Sequence, residues 1–323
     1  MRASMKDVAK HAEVSVATVS HVINNTRFVS EETRKKVMDS IEVLGYVPDP
    51  TARSFKTGRK NLIGIVVPDI ANPVWAIIIE EAESVLAKDG YKLLIVNTKE
   101  TESREIENLK LLSSGLVDGL IIASTLTDFS SIRPLVPEKF PMVFIDRQLP
   151  GCPCDMIIPQ DYPAIHDGIC QMILEGRRRI GFITGLMRLS TSVNRLNAYK
   201  EALTEYGIPV EEDLIQMGNS LSQSAVPLVK TLLEKKCTAI VASNNMMLDD
   251  VLYYLNSQRI QLGTDLVLLG QTVEGRKNYY TRDVRMVLQP SKEIGQTAGK
   301  QILERIRNPE APVRTTVLHS VLL

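Results

Sequence analysis

The sequence predicts an α/β protein in two parts, a short helical head followed by a longer body of parallel sheets in two lobes. Three helical segments, two of them with serine N-caps, fall within the first 48 residues. Beyond residue 60, short apolar runs alternate with longer amphipathic stretches, a pattern typical of parallel strands covered by helices on both faces. The run Leu-Ile-Gly-Ile at 62–65 is echoed by Arg-Ile-Gly-Phe at 179–182, which favours two lobes of similar construction.

Length and composition fit this division and exclude several classes of protein. The 323 residues are 44% hydrophobic, enough for two or three domains with their own cores. The chain has no 18-residue apolar run and no signal-peptide pattern, so we expect a cytoplasmic protein without membrane contact. Four cysteines are too few for a disulfide scaffold, and the pair in Cys152-Pro153-Cys154 has no second ligand pair at zinc spacing. Neither a metal nor a cofactor is therefore predicted.

Charge is divided unevenly between the two parts. Residues 1–60 contain eleven Lys or Arg against seven Asp or Glu, a net charge of +4, and the remainder of the chain carries −4. A basic head on an acidic body indicates a polyanionic partner for the head. A solvated charged face is the alternative explanation of the same asymmetry.

The head has the pattern of a helix-turn-helix. Helix one is predicted over 5–12, and Ser15 is a favoured N-cap for helix two at 16–24. Ser30 caps a third helix, whose apolar stripe closes a three-helix core. In helix two the apolar side chains share one face, and the opposite face is small and polar. A short helix of this kind can enter the major groove of DNA with its first turn toward the base edges.

Residues 49–60 have the pattern of a hinge. Asp49-Pro50 is an N-cap followed by proline at the first helical position, and Gly58 stands just past the predicted helix end. The segment 51–57 is too short to hold a helix alone in water. We therefore expect it to become ordered when DNA and a second copy of the chain are present.

At these residues the chain resembles the lactose repressor (LacI/GalR) family. The stretch Val-Ser-Val-Ala-Thr-Val-Ser-His-Val-Ile-Asn at 14–24, with Thr-Arg-Phe-Val at 26–29, is most similar to the purine and ribose repressor members. The resemblance covers essentially the whole chain. It implies a homodimeric transcriptional regulator, typically a repressor, that binds a palindromic operator and is not an enzyme.

The resemblance also implies a domain plan in which a two-lobed core, like that of periplasmic binding proteins, carries the effector site and the dimer contacts. The expected parts are the helix-turn-helix domain at 1–48, the hinge at 49–60 and the core at 61–323, with lobe one at about 61–158 plus 288–323 and lobe two at about 159–287.

The family pattern places DNA contacts on helix two, the loop after it and the hinge. Val16 and Ala17 can offer only apolar contact, which suits a thymine methyl, whereas His21 can donate to guanine N7 or O6. Core packing is the alternative role for Val16. Phe55 stands where the family usually has a leucine wedge for the minor groove, so the operator is expected to be kinked. The residues assigned to DNA are Ser15, Val16, Ala17, Thr18, His21, Asn24, Arg27, Arg53, Phe55 and Lys56.

The sequence of the body predicts two series of strands and helices. A ligand is expected between them, at the carboxyl ends of the strands. A strand at 284–289 and a helix at 291–307 are expected to return to the first lobe, as in the family. The first series has strands at 62–67, 93–96, 119–123 and 142–145 with helices near 73–89, 102–114 and 128–136; the second has strands at 179–184, 238–242 and 266–269 with helices near 193–206, 222–235 and 246–258.

Several strand ends match the family's effector site. Trp75, the single tryptophan, matches a position where an aromatic ring stacks on the ligand, although core packing is the commoner role of a lone tryptophan. Asp146 beside Arg147 can bind adjacent hydroxyl groups with bidentate geometry. For Gln289 the alternative role is a crosspiece of the hinge. The effector candidates are Asn72, Trp75, Asp146, Arg147, Thr191, Arg195, Asn245, Thr272 and Gln289.

Two strand ends depart from the family pattern. Asn244-Asn245 replaces the usual Asn-Asp, and Gly-Gln-Thr at 270–272 replaces a Gly-aromatic-Asp pattern. Each lost charged hydrogen bond is worth about 1.5–3 kcal/mol. A pyranose bound in the family's usual way is therefore disfavoured. A different polyol, a nucleobase derivative, an anionic ligand and a degenerate pocket all remain open.

Three other functions compete with a ligand-responsive DNA-binding regulator. An enzyme is disfavoured because no phosphate loop, nucleophile elbow or His-rich metal spacing occurs, and His166-Asp167 has the character of a surface pair. A transport-type binding protein is disfavoured by the basic head and the missing signal segment. A regulator with a protein corepressor would need a phosphate-binding face, for which the candidates are Lys300, Arg305 and Arg307; a solvated helix face is the alternative.

Overall fold

The computed structural model describes residues 3–47, 59–275 and 283–323. The chain divides into two compact units, Met1–Lys60 and Asn61–Leu323. The predicted hinge helix, with Arg53, Phe55 and Lys56, lies outside the described residues.

Three helices form the head, as the sequence predicts. They are α1 (Met5–His11), α2 (Val16–Asn24) and α3 (Glu31–Leu44). Each begins after a serine whose hydroxyl accepts a backbone N–H, as when Ser15 Oγ accepts from Thr18 N at 3.0 Å. Val8, Val19 and Val37 are fully buried where the three helices meet. The core of the head is therefore built from the small apolar face of each helix.

The turn between α1 and α2 holds Glu13 in the left-handed region, at φ +55°. A residue with a Cβ pays about 1–2 kcal/mol there, and glycine does not. We expect Glu13→Gly to raise the free energy of unfolding of the head by up to about 1 kcal/mol, since the greater chain entropy of glycine offsets part of the gain. Hydrogen exchange of the amides in α1 and α2 measures this.

A matched control is Lys35→Gly, in the exposed interior of α3. It should lower head stability by about 1 kcal/mol, because its φ is helical and glycine only adds flexibility there. Faster exchange in Glu13→Gly than in the parent protein would contradict the assignment of strain to Glu13.

The body contains two six-stranded sheets, one in each lobe. The first sheet has the order β11-β5-β4-β3-β1-β2, and its pairings are parallel throughout. The second has the order β12-β10-β9-β8-β6-β7 and is parallel except for β12. The strands are β1 (Leu62–Val67), β2 (Lys92–Asn97), β3 (Gly119–Ile122), β4 (Met142–Ile145), β5 (Asp155–Gln160), β6 (Ile180–Thr184), β7 (Ile215–Met217), β8 (Ala239–Ala242), β9 (Val267–Thr272), β10 (Val284–Leu288), β11 (Thr315–His319) and β12 (Val321–Leu322).

Helices cover both faces of each sheet, and each lobe has an apolar cluster on either side of its strands. This agrees with the continuous apolar runs in the sequence. The helices are α4 (Pro73–Ala87), α5 (Glu102–Ser113), α6 (Phe129–Ile132), α7 (Tyr162–Leu174), α8 (Ser190–Glu205), α9 (Val226–Glu234), α10 (Asn245–Ser257) and α11 (Ser291–Arg307).

The course of the chain near its C-terminus differs from the expectation in two respects. Strand β10 pairs with β9 and so belongs to the second sheet, whereas the sequence analysis returned it to the first lobe. The final strand β12 also joins the second sheet, beside β10. Helix α11 does return to the first lobe, where it packs against α4. The expectation for β10 came from the family resemblance, and the parallel pairing of Val284–Leu288 with β9 corrects it.

The sequence analysis also missed β5, α7, β7 and the two C-terminal strands. β5 begins with Asp155 and contains Pro159, which lower the apparent strand propensity. Its omission matters because the chain passes between the lobes directly after β5, at Asp161. The other two crossings follow β10 and β11. The three crossings lie beside the cleft between the lobes.

Candidate functional site

The head presents the predicted recognition residues on one side of α2. Ser15, Val16 and Ala17 are exposed, and Val16 retains 41% of its accessible surface. Val16 is therefore available for contact, and its exposure excludes the alternative role in core packing. Thr18, His21 and Asn24 are half-buried, and Arg27 is exposed in the loop after α2.

Two of these polar side chains are held by neighbours in the head. His21 Nδ1 lies 2.8 Å from Thr26 Oγ1, and Asn24 Nδ2 donates to the backbone oxygen of Ser20 at 2.9 Å. The contact with Thr26 fixes one ring nitrogen of His21 and leaves Nε2 for another partner. The arrangement can thus present an imidazole nitrogen beside a small apolar first turn.

A cavity lies between the two lobes at the carboxyl ends of the strands. Eight of the nine predicted effector residues line it: Asn72, Trp75, Asp146, Arg147, Thr191, Arg195, Asn245 and Gln289. They come from separate strand ends, from the starts of α4, α8 and α10, and from one crossing between the lobes. Parallel strands of two facing sheets bring such residues together, which is the position at which open α/β sheets bind ligands.

Thr272, the ninth candidate, does not line this cavity. It is buried, and its neighbour Gln271 lines the cavity in its place. Successive side chains of a strand point to opposite faces, so of two adjacent residues in β9 only one can face the cavity. In the structure that residue is Gln271.

Arg195 is held in the cavity wall by a buried network. Its Nε donates to Asp161 Oδ2 at 2.7 Å and its Nη1 to the backbone oxygen of Ser243 at 2.9 Å. Gln271 Nε2 donates to the same Asp161 oxygen at 3.1 Å, and the Ser320 hydroxyl donates to the other oxygen. Burial alone would raise the pKa of Asp161, but the charge of Arg195 and these hydrogen bonds hold it below its ordinary value. Asp161, at the crossing after β5, therefore connects Ser320, at the crossing after β11, to Arg195 in the cavity wall.

Arg147 occupies the opposite wall, between carboxylates. Its Nη1 donates to Glu100 at 3.0 Å and to the backbone oxygen of Ser124 at 2.8 Å, and its Nε lies 3.6 Å from Asp146 Oδ2. Burial raises the pKa of Asp146 above its ordinary value, although the charges of Arg147 and Arg195 oppose this. Both Glu100 and Asp146 adopt positive φ, +54° and +69°. Backbone strain of this kind is concentrated at ligand sites.

Behind Arg147, Glu105 organises the loop that follows β3. Its carboxylate accepts from the Ser124 hydroxyl at 2.6 Å and from the backbone N–H groups of Thr125 and Leu126. Burial raises the pKa of Glu105 despite these hydrogen bonds. Because Ser124 also supplies the carbonyl that holds Arg147, the loop and the guanidinium are positioned together.

The lobes touch across the cavity. Asn245 Nδ2 of the second lobe donates to Asn72 Oδ1 of the first at 2.8 Å, and Arg188 Nη2 donates to the backbone oxygen of Glu100 at 2.7 Å. Gln148 N donates to Ser190 Oγ at 2.9 Å. These contacts belong to a state in which the lobes are close together, and they would be lost on opening.

Two buried polar atoms in the cavity wall have no hydrogen-bond partner among the described residues. They are Arg147 Nε, a donor, and Gln271 Oε1, an acceptor. Leaving such a group unpaired costs about 1–3 kcal/mol. A ligand with both donors and acceptors, such as a hydroxylated molecule, would satisfy both of them.

The charges around the cavity disfavour an anion. The lining carboxylates are Asp69, Glu100 and Asp146, and Asp161 stands behind Arg195. Against these four stand Arg147, Arg195 and Lys99, the last paired with Asp69. Both arginines are thus already neutralised by protein carboxylates.

The proposed phosphate-binding face on α11 is occupied by internal contacts. Arg305 makes a buried ion pair with Asp155 at 2.9 Å and also donates to backbone oxygens after α11, and Arg307 pairs with Asp89. Lys300 is exposed. Since two of the three cations are already committed to partners in lobe one, this face has little to offer a phosphorylated protein.

Sequence reasoning missed several residues of the cavity. Asp161 was not predicted because β5 was not recognised, and Asp69 and Glu100 lie outside the positions assigned from the family resemblance. The available signal was an acidic residue just past the end of β1, β2 and β5. That signal is weak alone, since acids also occur in ordinary loops.

None of the described helices is long and apolar enough to cross a lipid bilayer.

Together, the fold and the two sites define a DNA-reading head attached to a ligand-binding core of two lobes. Comparison with known proteins gives the family. The model of the lacI family of bacterial regulatory proteins matches residues 4–49, and the model of periplasmic binding proteins and the sugar binding domain of the LacI family matches residues 60–316. The chain belongs to the LacI family.

The relatives found along the whole chain are transcriptional repressors. The ribose operon repressor of Haemophilus influenzae is 32% identical over 98% of this chain and 96% of its own length. The HTH-type transcriptional repressor PurR of Aliivibrio salmonicida is 30% identical over the same shares of the two chains. The protein is therefore a DNA-binding transcriptional repressor with an effector-binding domain, and not an enzyme.

Solved structures show the same fold. A lac repressor dimer bound to operator and the anti-inducer ONPF superposes with a TM-score of 0.85 at 21% identity, covering 100% of this chain and 98% of that one. A complex of the transcriptional regulator CelR with cellobiose superposes with a TM-score of 0.72 at 24% identity and the same coverage. At this level of identity the likeness concerns the fold.

Proposed function

We propose that the protein binds a palindromic operator as a homodimer and that a small neutral, hydroxyl-rich molecule in the interlobe cavity controls this binding. The observation that carries the proposal is the convergence of eight predicted strand-end residues on one buried polar cavity, in a chain that also has a helix-turn-helix. A two-fold dimer presents two recognition helices one helical turn of DNA apart, which requires a palindromic site.

The class of effector follows from the groups in the cavity wall. Asp146 offers acceptors, Arg147 Nε offers a donor and Gln271 Oε1 offers a further acceptor, while the ring of Trp75 supplies an apolar face. Carboxylates, amides and an aromatic ring are the groups that bind sugars and related polyols. An anionic ligand would meet arginines already paired with Glu100 and Asp161.

The contacts between the lobes provide a way for effector binding in the cavity to change operator binding by the heads. A ligand held by both lobes favours the state in which Asn245 meets Asn72 and Arg188 meets Glu100, and it can shift the equilibrium only by its difference in affinity between the open and closed states. Closure would then set the geometry of the paired heads in the dimer. Either sign of coupling, release or corepression, is compatible with this scheme.

A thermal-shift screen of the full chain tests the effector class, using uncharged sugars and polyols, nucleosides and nucleobases, and phosphorylated metabolites. The emission of Trp75 gives a second readout, because it is the single tryptophan and lines the cavity. We expect stabilisation and an emission change with an uncharged polyhydroxy compound. Hits confined to phosphorylated compounds would overturn the assignment, and so would a hit that leaves Trp75 emission unchanged.

Operator binding is tested separately by footprinting on the promoter region of neighbouring genes, with molar mass in solution measured by light scattering. A protected palindrome and a dimer mass are expected. A monomer that protects a single half-site at full affinity would contradict the dimer.

Effector affinity should fall as the solution is acidified. As a carboxylate, Asp146 can accept hydrogen bonds from the hydroxyl groups of the effector, and protonation weakens this capacity. Burial raises the folded-state pKa of Asp146 above its ordinary value. The loss of affinity therefore begins at a higher pH than it would for an exposed aspartate. Calorimetric titration with the hit compound from neutral pH downward measures the effect. The control is Asp146→Asn, which should bind more weakly and with a flatter pH profile; an equally steep profile in this variant would assign the titration to another group.

A further inference from the structure

We propose that His166, Cys170 and Glu205 form a binding site for a divalent cation of the zinc type on the second lobe. Their ligand atoms lie within 4.8 Å of one another, and they form the one cluster of this composition among the described residues. The site is separate from the effector cavity, since none of the three residues lines it. It does not depend on the proposed effector.

Two packed helices bring the three ligands together. His166 and Cys170 stand four residues apart on α7, so they share one face of that helix, and Glu205 is the last residue of the neighbouring α8. Sequence spacing shows only the first two, because Glu205 lies more than thirty positions further along. This is why the sequence analysis predicted no metal.

The donor atoms are close together, and one of them has still to turn before all three can hold a tetrahedral ion. His166 Nε2 lies 3.1 Å from Glu205 Oε2, and Cys170 Sγ lies 3.7 Å from His166 Nδ1 and 3.9 Å from Nε2. Zinc bond lengths with tetrahedral angles place a nitrogen about 3.4 Å from an oxygen ligand and about 3.6 Å from a sulfur ligand, so His166 and Glu205 are nearly in place and the Cys170 side chain would turn toward Nε2 on binding. Three protein ligands leave a fourth position for water.

The neighbours of His166 are of the kind that orient a metal-binding imidazole. His166 Nδ1 lies 3.5 Å from the carboxylate of Asp167, in the place of the acceptor that orients a metal-bound imidazole through its second nitrogen. The ring of Tyr162 lies nearly parallel to that of His166, at 9°, with the centroids 6.2 Å apart.

The donor set indicates the kind of ion. Nitrogen, sulfur and oxygen together select zinc or cobalt over magnesium or calcium, which prefer oxygen alone.

A bound cation would tie α7 to α8. Helix α7 starts directly after Asp161, and α8 carries Arg195, so the two helices bear the ion pair in the wall of the effector cavity. Binding of the metal to the folded state alone should therefore raise the midpoint of thermal unfolding of the core.

The experiment uses the full chain without a polyhistidine tag, stripped with a chelator and then titrated with Zn²⁺, and separately with Co²⁺. We expect one cation per chain, an upward shift in the unfolding midpoint, and a thiolate-to-cobalt charge-transfer band. Mg²⁺ should produce no shift. Cys170→Ser should abolish the band, and Glu205→Gln, which preserves side-chain size at an exposed position, should weaken binding at least about tenfold.

The matched control is the double variant Cys152→Ser/Cys154→Ser, which removes the Cys-Pro-Cys pair in the first lobe. It should keep both the band and the stoichiometry. The proposal is overturned if Zn²⁺ leaves the unfolding midpoint unchanged, if Glu205→Gln binds as tightly as the parent protein, or if the band disappears in the control and survives in Cys170→Ser.

Discussion

Arg195→Ala is expected to abolish the effector response and to lower the free energy of unfolding of the core by about 3–5 kcal/mol. The second effect follows from Asp161, which is 5% exposed and would be left in the interior without its cation. The free energy of unfolding comes from urea denaturation, and the effector response from operator binding with and without the hit compound.

The pH dependence of this variant has a definite sign. In the parent protein the pKa of Asp161 is below its ordinary value, so the pair contributes stability that is complete above the ordinary pKa and is lost as the pH falls through the folded-state pKa. Without Arg195, burial would raise the pKa of Asp161, and protonation of Asp161 at low pH would then remove the unpaired charge. The difference in stability between variant and parent should therefore shrink as the pH is lowered.

Two further variants separate packing from charge. Arg179→Ala removes an arginine from a half-exposed pair with Glu211 in the same lobe and should cost about 1 kcal/mol or less. Asp161→Asn combined with Arg195→Gln removes both charges and should be less destabilising than Arg195→Ala alone. If Arg195→Ala were no more costly than Arg179→Ala, Arg195 would not be held as described.

His21→Ala is expected to weaken operator binding about ten- to hundredfold, the equivalent of about 1–3 kcal/mol for a lost base contact, and to relax the preference at one base pair. The half-buried imidazole lies on the recognition side of α2, with Nδ1 engaged by Thr26 and Nε2 left for the base. Arg27→Ala should weaken binding more evenly across sequences, as a phosphate contact does. Titration of operator and single-base variants measures both effects.

The control is His319→Ala, an exposed histidine on β11 in the core. It should bind the operator like the parent protein. Folding of the head in His21→Ala is checked by amide spectra, since Thr26 loses a partner there. Unchanged protection of the palindrome in both His21→Ala and Arg27→Ala would remove this face of α2 from the interface.

Comparison of the cavity with the sequence shows why some of its lining residues were predicted and others were not. Trp75 and Asp146 were predicted because each comes shortly after a recognisable strand and matches a family position, and Arg195 because it matches a family position alone. Asp161 was missed because β5 was missed, and Thr272 was chosen over Gln271 because adjacent residues of a strand differ only in the face they occupy. The charge of the site could not be predicted either, since the partners of Arg147 and Arg195 are distant in sequence.

The sequence by itself determined the helices of the head, the alternation of strands and helices in the body, and the LacI family, because these depend on local spacing, capping and hydrophobic period. The tertiary structure decided which sheet received β10, that both arginines of the cavity are neutralised, and that Glu205 meets His166 and Cys170. Each of these depends on residues far apart in the chain, whose proximity is set by how the sheets and helices pack and not by any local pattern.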